Sequence, residues 1–203
     1  MAVQSGVYRG VSAEDRASER RARLLAATLE VWADPEQRTT MTAVCSAAGL
    51  TERYFYESFR SLDDALRAVL DSVATEIEEV TQAAAEAAGQ DPVSQATAVL
   101  EAFVRFLTDD PRKGRVAVIE AGAMPALRAR RTEILRDFGH RSAVDARDRL
   151  GLPHRSAHEE EIAGLLFIGG MAELVTAWLD GALEATPEEI VATAGKSLLA
   201  LYA

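Results

Sequence analysis

Few side chains in this 203-residue chain stand at spacings that suit chemistry. His154 and His158 are four apart, a spacing at which two imidazoles on one helix can share a metal ion. Pro153 and the capping pattern of Ser156 with Glu159 place His154 outside the helix, so the pair should diverge and no metal site is expected. The run Glu159-Glu160-Glu161 then falls in a first helical turn, where acids complement the helix dipole. Cys45 is the lone cysteine, which excludes an internal disulfide and any Cys-rich zinc module. Its small side chain reads as a packing residue rather than a redox centre. No phosphate-binding glycine loop and no local nucleophile signature appears, so neither an enzyme nor a cofactor is expected. What remains is a cluster of Arg16, Arg20, Arg21 and Arg23, and a segment carrying Glu52, Arg53, Tyr54 and Tyr56. An arginine can hold guanine O6 and N7 with two hydrogen bonds, and tyrosine hydroxyls can donate to phosphates while their rings lie against sugars. That chemistry is duplex DNA recognition. On the residues alone, the tyrosines suit half-buried packing equally well, and the arginines suit a solvated face of mixed charge.

The overall charge argues the other way. The chain is net −10, which opposes a polyanionic partner, but the charge is unevenly placed. Residues 1–60 hold eight arginines and eight acids, and residues 61–203 carry the whole deficit. Any DNA contact therefore belongs at the N-terminal end. Hydrophobic residues at 48% and charged residues at 27% suit a soluble globular protein of one or two domains. The longest apolar run, Ala163 to Ala172, is about half of what a membrane span needs. Arg9 is followed by Ser12, Glu14 and Asp15 rather than an apolar segment, so no secretory signal is read and a cytoplasmic protein is expected.

Caps and prolines divide the chain into helices. Ser12 with Asp15, Ser61 with Asp64, Ser156 with Glu159 and Thr186 with Glu189 have capping-box spacing, and Asp91-Pro92 and Asp110-Pro111 each set a capping acid before a first-turn proline. The expected fold is all-α, with about nine helices over 13–33, 40–48, 51–58, 61–88, 92–108, 111–122, 126–150, 157–180 and 187–202. The run Val116 to Ile119 has strand composition, but no alternating partner strand exists for it. The segment Ile162 to Ala172 is apolar almost all round, which predicts burial on more than one side. Gly169-Gly170 inside it weakens the helix, and close approach of a neighbouring helix would compensate. A subunit interface and tight packing within one chain both fit.

Residues 40–59 are the most informative stretch. Thr40 can cap a helix that turns Met41, Val44, Cys45 and Ala48 inward, and Gly49 can end it in a left-handed conformation. Leu50 fills the gap, and Thr51 caps a second short helix with Phe55 and Phe59 inward. Two such helices bury little alone. They need the preceding helix, with Leu24, Ala27, Thr28, Val31 and Trp32 on one face, to make a tri-helical unit. A helix-turn-helix of this kind presents its second helix to a major groove.

The stretch Thr40-Met41-Thr42-Ala43-Val44-Cys45-Ser46-Ala47-Ala48-Gly49-Leu50-Thr51, followed by Tyr54-Phe55-Tyr56-Glu57-Ser58-Phe59, resembles the N-terminal signature of the TetR family of transcriptional regulators. Arg21 to Trp32 is similar to that family's first helix, and the resemblance covers residues 20 to 66. It implies an N-terminal DNA-binding domain, residues 1–60 with 1–12 as a flexible arm, and an effector-binding and dimerisation domain, residues 61–203. It places Thr40, Thr51, Arg53, Tyr54 and Tyr56 at the operator, and Glu52, not needed for the core of the same helix, is a further DNA-binding candidate. Three positions depart from the family pattern: Leu62 replaces a usual phosphate-binding lysine, Ser58 a frequent histidine, and Cys45 a usual alanine. Arg60 keeps a positive charge near Leu62. The resemblance further implies a homodimer through the last two helices, here with Ile162, Leu166, Gly169, Gly170, Ile190 and Leu198. It also implies a small-molecule effector in a pocket walled by Phe103, Phe106, Met124, Phe138, Phe167, Met171 and Trp178. No buried charge stands out in that set, which favours an apolar or aromatic effector. The implied function is a repressor released from a palindromic operator, with effector binding tilting helix 61–88. The alternative is a helical interaction or small-molecule-binding protein that has lost DNA binding.

Overall fold

The capping chemistry sets the helix starts in the structure, a computed structural model that describes residues 12–150 and 156–202. Residues 1–11 of the expected arm 1–12, and His154, lie outside the described residues, while Ser12 is the cap of α1. Nine helices and no strand are present among the described residues, so the fold is all-α. They are α1 (Ala13–Ala33), α2 (Met41–Ala48), α3 (Glu52–Ser58), α4 (Leu62–Ala87), α5 (Pro92–Asp109), α6 (111–123), α7 (Arg128–Leu150), α8 (Ala157–Leu179) and α9 (Pro187–Tyr202). Ser12 and Asp15 form a capping box at α1, and Ser156 and Glu159 form one at α8. Asp91 accepts from Ser94 N, and Asp110 from Arg112 N, ahead of the first-turn prolines of α5 and α6. Side-chain hydrogen bonds from Ser12, Ser94 and the Arg112 guanidinium, with these backbone ones added, favour the ionised carboxylate and hold Asp15, Asp91 and Asp110 below the usual carboxylate range.

The chain divides into two compact units, one ending at Asp71 and one beginning at Ser72. In the first, α1, α2, α3 and the start of α4 enclose a core of Leu24, Ala27, Val31, Val44, Cys45, Ala48, Phe55, Phe59 and Ala65. Thr28 is buried on α1 because its hydroxyl donates to the Leu24 carbonyl at 2.7 Å. Gly49 ends α2 at φ 61°, with its N–H on Ser46 O at 3.1 Å and Leu50 N on Cys45 O at 3.0 Å. A side chain there would sit in a left-handed conformation, and its Cβ would lie 3.3 Å from Arg23 Nη2. Gly49→Ala should lower stability by about 1–2 kcal/mol, read as a lower melting temperature.

In the second unit the core gathers Leu100, Leu107, Ala143, Ala163, Phe167, Met171, Val175, Ala194 and Leu198. α7 and α8 approach most closely at Gly139 and Gly164. A Cβ on Gly139 would lie 2.9 Å from the Gly164 carbonyl carbon, and one on Gly164 would collide with the Gly139 carbonyl oxygen. The expected close approach at Gly169-Gly170 is not where the backbones meet. Nothing lies within 4 Å of a Cβ built on either residue, and both are exposed. The apolar run is buried along Ala163, Gly164, Phe167, Met171 and Ala172, while Ile162 and Leu166 are 54% and 61% exposed. α8 is also long and apolar enough, by length and composition, to cross a membrane.

Helix α6 is interrupted. Pro111–Gly114 is α-helical, Arg115–Glu120 is π-helical, and Ala121–Ala123 resumes the α-helix. The run of strand-like composition is helical as expected, but as a widened turn. Its five-residue reach aligns Arg115 with Glu120, whose Nε–Oε1 separation is 2.9 Å. A 3-10 turn, Pro125–Leu127, leads into α7, two residues later than the sequence suggests.

Candidate nucleic-acid interface

The second helix of the short pair owes its orientation to aromatic anchoring. Phe55 and Phe59 on α3 are sealed in the head core with ring centroids 5.6 Å apart, which turns Thr51, Glu52, Arg53 and Tyr56 to the outside. Arg53 has 85% of its side chain exposed, and Tyr56 is 60% exposed with its ring edge-on to Phe55. Thr51 occupies the N-cap position of α3 with extended backbone but makes no side-chain capping bond, so its hydroxyl is not held by the helix. Thr40 is half-buried and accepts from Ala43 N at 3.2 Å, capping α2. Tyr54 is half-buried beneath the Arg20 guanidinium, 4.6 Å from the ring centre. Four of the six expected contact residues therefore share one exposed face, while Thr40 and Tyr54 have structural partners as well.

Acids temper that face. Glu57 pairs with Arg53 at 3.1 Å and lies 3.8 Å from Arg20. An exposed pair of this kind is worth only about 0.3–0.5 kcal/mol, so Arg53 can leave it for a better acceptor. Leu62, where a lysine is usual, packs against the head core instead of facing solvent, and Arg60 beside it is exposed. Cys45 is enclosed between the helices; burial, with Glu52 nearby, pushes its thiol up and keeps it protonated.

The arginine cluster of α1 does work that sequence inspection did not foresee. Arg21 donates to the Ser58 carbonyl at 2.7 Å and lies over the Phe59 ring, and Arg23 donates to the Ala48 carbonyl at 2.6 Å. These carbonyls end α3 and α2, where cations satisfy orphan acceptors and complement the dipole. Each bond spans at least 25 residues, so no local pattern could have revealed it.

In the second unit the expected pocket walls separate into two sets. Phe103, Phe106, Phe167 and Met171 meet in one cluster, whereas Met124, Phe138 and Trp178 lie outside it. Trp178 fastens the turn before α9 by donating to the Ala185 carbonyl at 2.9 Å. A surface groove of about 710 Å³ runs between α5 and α9 over Ala96, Val104, Val191 and Gly195, and none of the seven expected wall residues lines it. Of the expected interface residues, Ile162, Leu166, Gly169 and Gly170 form a bare stripe on α8, while Ile190 and Leu198 are already buried inside the unit. His158 is exposed, and no group of three acidic, His or Cys side chains able to hold a metal ion occurs among the described residues.

No protein-family model matches the sequence, and no curated protein matches it. Solved structures do match. The fatty acid degradation regulator FadR from Bacillus halodurans superposes with a TM-score of 0.75 at 16% identity, over 89% of this chain and 94% of that one. FadR from Bacillus subtilis, in complex with stearoyl-CoA, gives 0.68 at 19% identity over 90% and 97%. A TetR family transcription regulator from Marinobacter aquaeolei VT8 gives 0.63 at 22% identity over 93% and 97%. The fold is that of TetR-type regulators.

Proposed function

We propose, from that fold, that the protein is a dimeric DNA-binding transcriptional regulator of the TetR type, a cytoplasmic repressor released from a palindromic operator by a small molecule. The observation that carries this reading is the outward face of α3. Thr51, Arg53 and Tyr56 are exposed on a helix whose opposite side is locked by Phe55 and Phe59. Residues 1–60 form the DNA-binding domain in this reading, and residues 61–203 bind effector and partner subunit. The effector pocket lies beside Phe103, Phe106, Phe167 and Met171, and the stearoyl-CoA bound by the Bacillus subtilis structure supports a ligand role for this domain.

Selection of a random duplex library on the purified protein tests the reading. An enriched palindrome is the expected result. A folded protein that enriches nothing at low salt would instead favour a helical interaction module, for which Glu52 and Glu57 on the reading face speak.

The subunit interface is tested separately. Symmetry matching to a palindrome asks for a two-fold dimer, and the bare α8 stripe offers an apolar surface with room at Gly169 and Gly170 for a close helix. Leu166→Glu should convert the dimer to monomer in size-exclusion chromatography with light scattering. Its fold should survive, because Leu166 is 61% exposed within the chain.

A further inference from the structure

Along α7, Arg131, Ile134, Leu135, Phe138 and Ser142 recur at spacings of three and four and form a half-buried stripe, while Arg128, Ala129, Thr132 and Glu133 are exposed. A guanidinium stays charged wherever the protein is folded. Yet Arg131 Nε is closed off from solvent with no hydrogen-bond partner, and no carboxylate pairs with this arginine among the described residues. Glu133, two residues on, is held by Arg130 at 3.1 Å. Bare glycine backbone lies alongside: a Cβ on Gly122 would be 3.6 Å from Nε and 3.8 Å from Cζ. The first turn of α7 adds Arg128 and Arg130 and contains no acid, the reverse of what a helix dipole favours. This concentration of positive charge sits in the part of the sequence that carries the whole net −10. An Nε–H donor closed off from water and left without an acceptor weakens a fold unless an anion supplies one.

We propose that Arg131 anchors an acidic group of the effector, a carboxylate or a phosphate, whose apolar body lies along Ile134, Leu135 and Phe138. The inference rests on the effector-binding reading above, but it places the ligand on the α7 stripe instead of beside Phe103, Phe106, Phe167 and Met171, and it takes an amphipathic anion where the sequence favours an apolar or aromatic effector. Calorimetric titration of the full-length protein with octanoate, octyl phosphate and octanol tests it. At least one acid should bind about tenfold more tightly than the alcohol, the worth of one charged hydrogen bond. The preferred acid identifies the group. Arg131→Met should abolish the preference, and Arg131→Lys should keep part of it. Unliganded Arg131→Met should melt at or above wild type, because a buried donor without an acceptor is removed; a purely structural arginine would lower it. Equal binding of acid and alcohol, no binding of either, or an acid preference that survives Arg131→Met would overturn the proposal. The titration contains no DNA, so its failure leaves the operator reading standing. A failed operator selection beside a clear acid preference would strike that reading alone.

Discussion

Arg53→Ala will weaken operator binding by about 1–3 kcal/mol, and the loss will fall on one base pair of each half-site. The side chain is the longest donor on the exposed face of α3, and the exposed Glu57 is its sole carboxylate partner among the described residues. Competition titrations against operators altered at single positions check the expectation. A base-reading arginine makes one position indifferent to sequence after mutation, whereas a phosphate contact would lower affinity evenly across all of them. Glu57→Gln should act oppositely, since it removes both the competing acceptor and a negative charge near the backbone.

The largest effect on stability is expected at the crossing of α7 and α8. Gly164→Ala places a methyl group against the carbonyl of Gly139, and rigid backbone cannot move aside as a side chain could. The helices must separate, and neighbours such as Ala143, Ala163 and Phe167 lose their packing with them. A loss of about 3 kcal/mol or more is expected, at the upper end for overpacked cores. Chemical denaturation of the variant measures it. Gly169→Ala on the same helix is the control. With nothing near its Cβ, it should gain about 1 kcal/mol of helix propensity in the isolated subunit. A dimer weakened by the same change would place a partner helix against Gly169.

The helices and the head core were legible in the sequence because their signals are local. Ser12 with Asp15, Asp91 before Pro92, and Gly49 after Ala48 each act within four residues, and the structure uses them all. The inward positions Leu24, Val31, Val44 and Phe55 follow from a 3.6-residue period that needs no knowledge of the partner surface. What escaped depends on distance along the chain. Gly164, Gly169 and Gly170 all stand on α8, and only the backbone paths decide that Gly164 meets Gly139 while Gly169 and Gly170 face outward. The same holds for Arg21 and Arg23, which look like DNA-facing cations until α2 and α3 fold beneath them. Arg131 has no sequence signature at all. Its isolation follows from the absence of an acid three or four residues away on α7 and from the Gly122 backbone beside its Nε.

The engaged arginines of α1 bear on how binding would respond to ionic strength. Arg20, Arg21 and Arg23 are engaged with Glu57, Tyr54, Phe59 and two carbonyl groups, so they displace few condensed counterions from a duplex. Each phosphate neutralised contributes about 0.9 to the slope of log affinity against log salt. A head with eight arginines in its sequence should therefore titrate as though it had only a few, and its operator complex should tolerate salt better than the formal charge suggests.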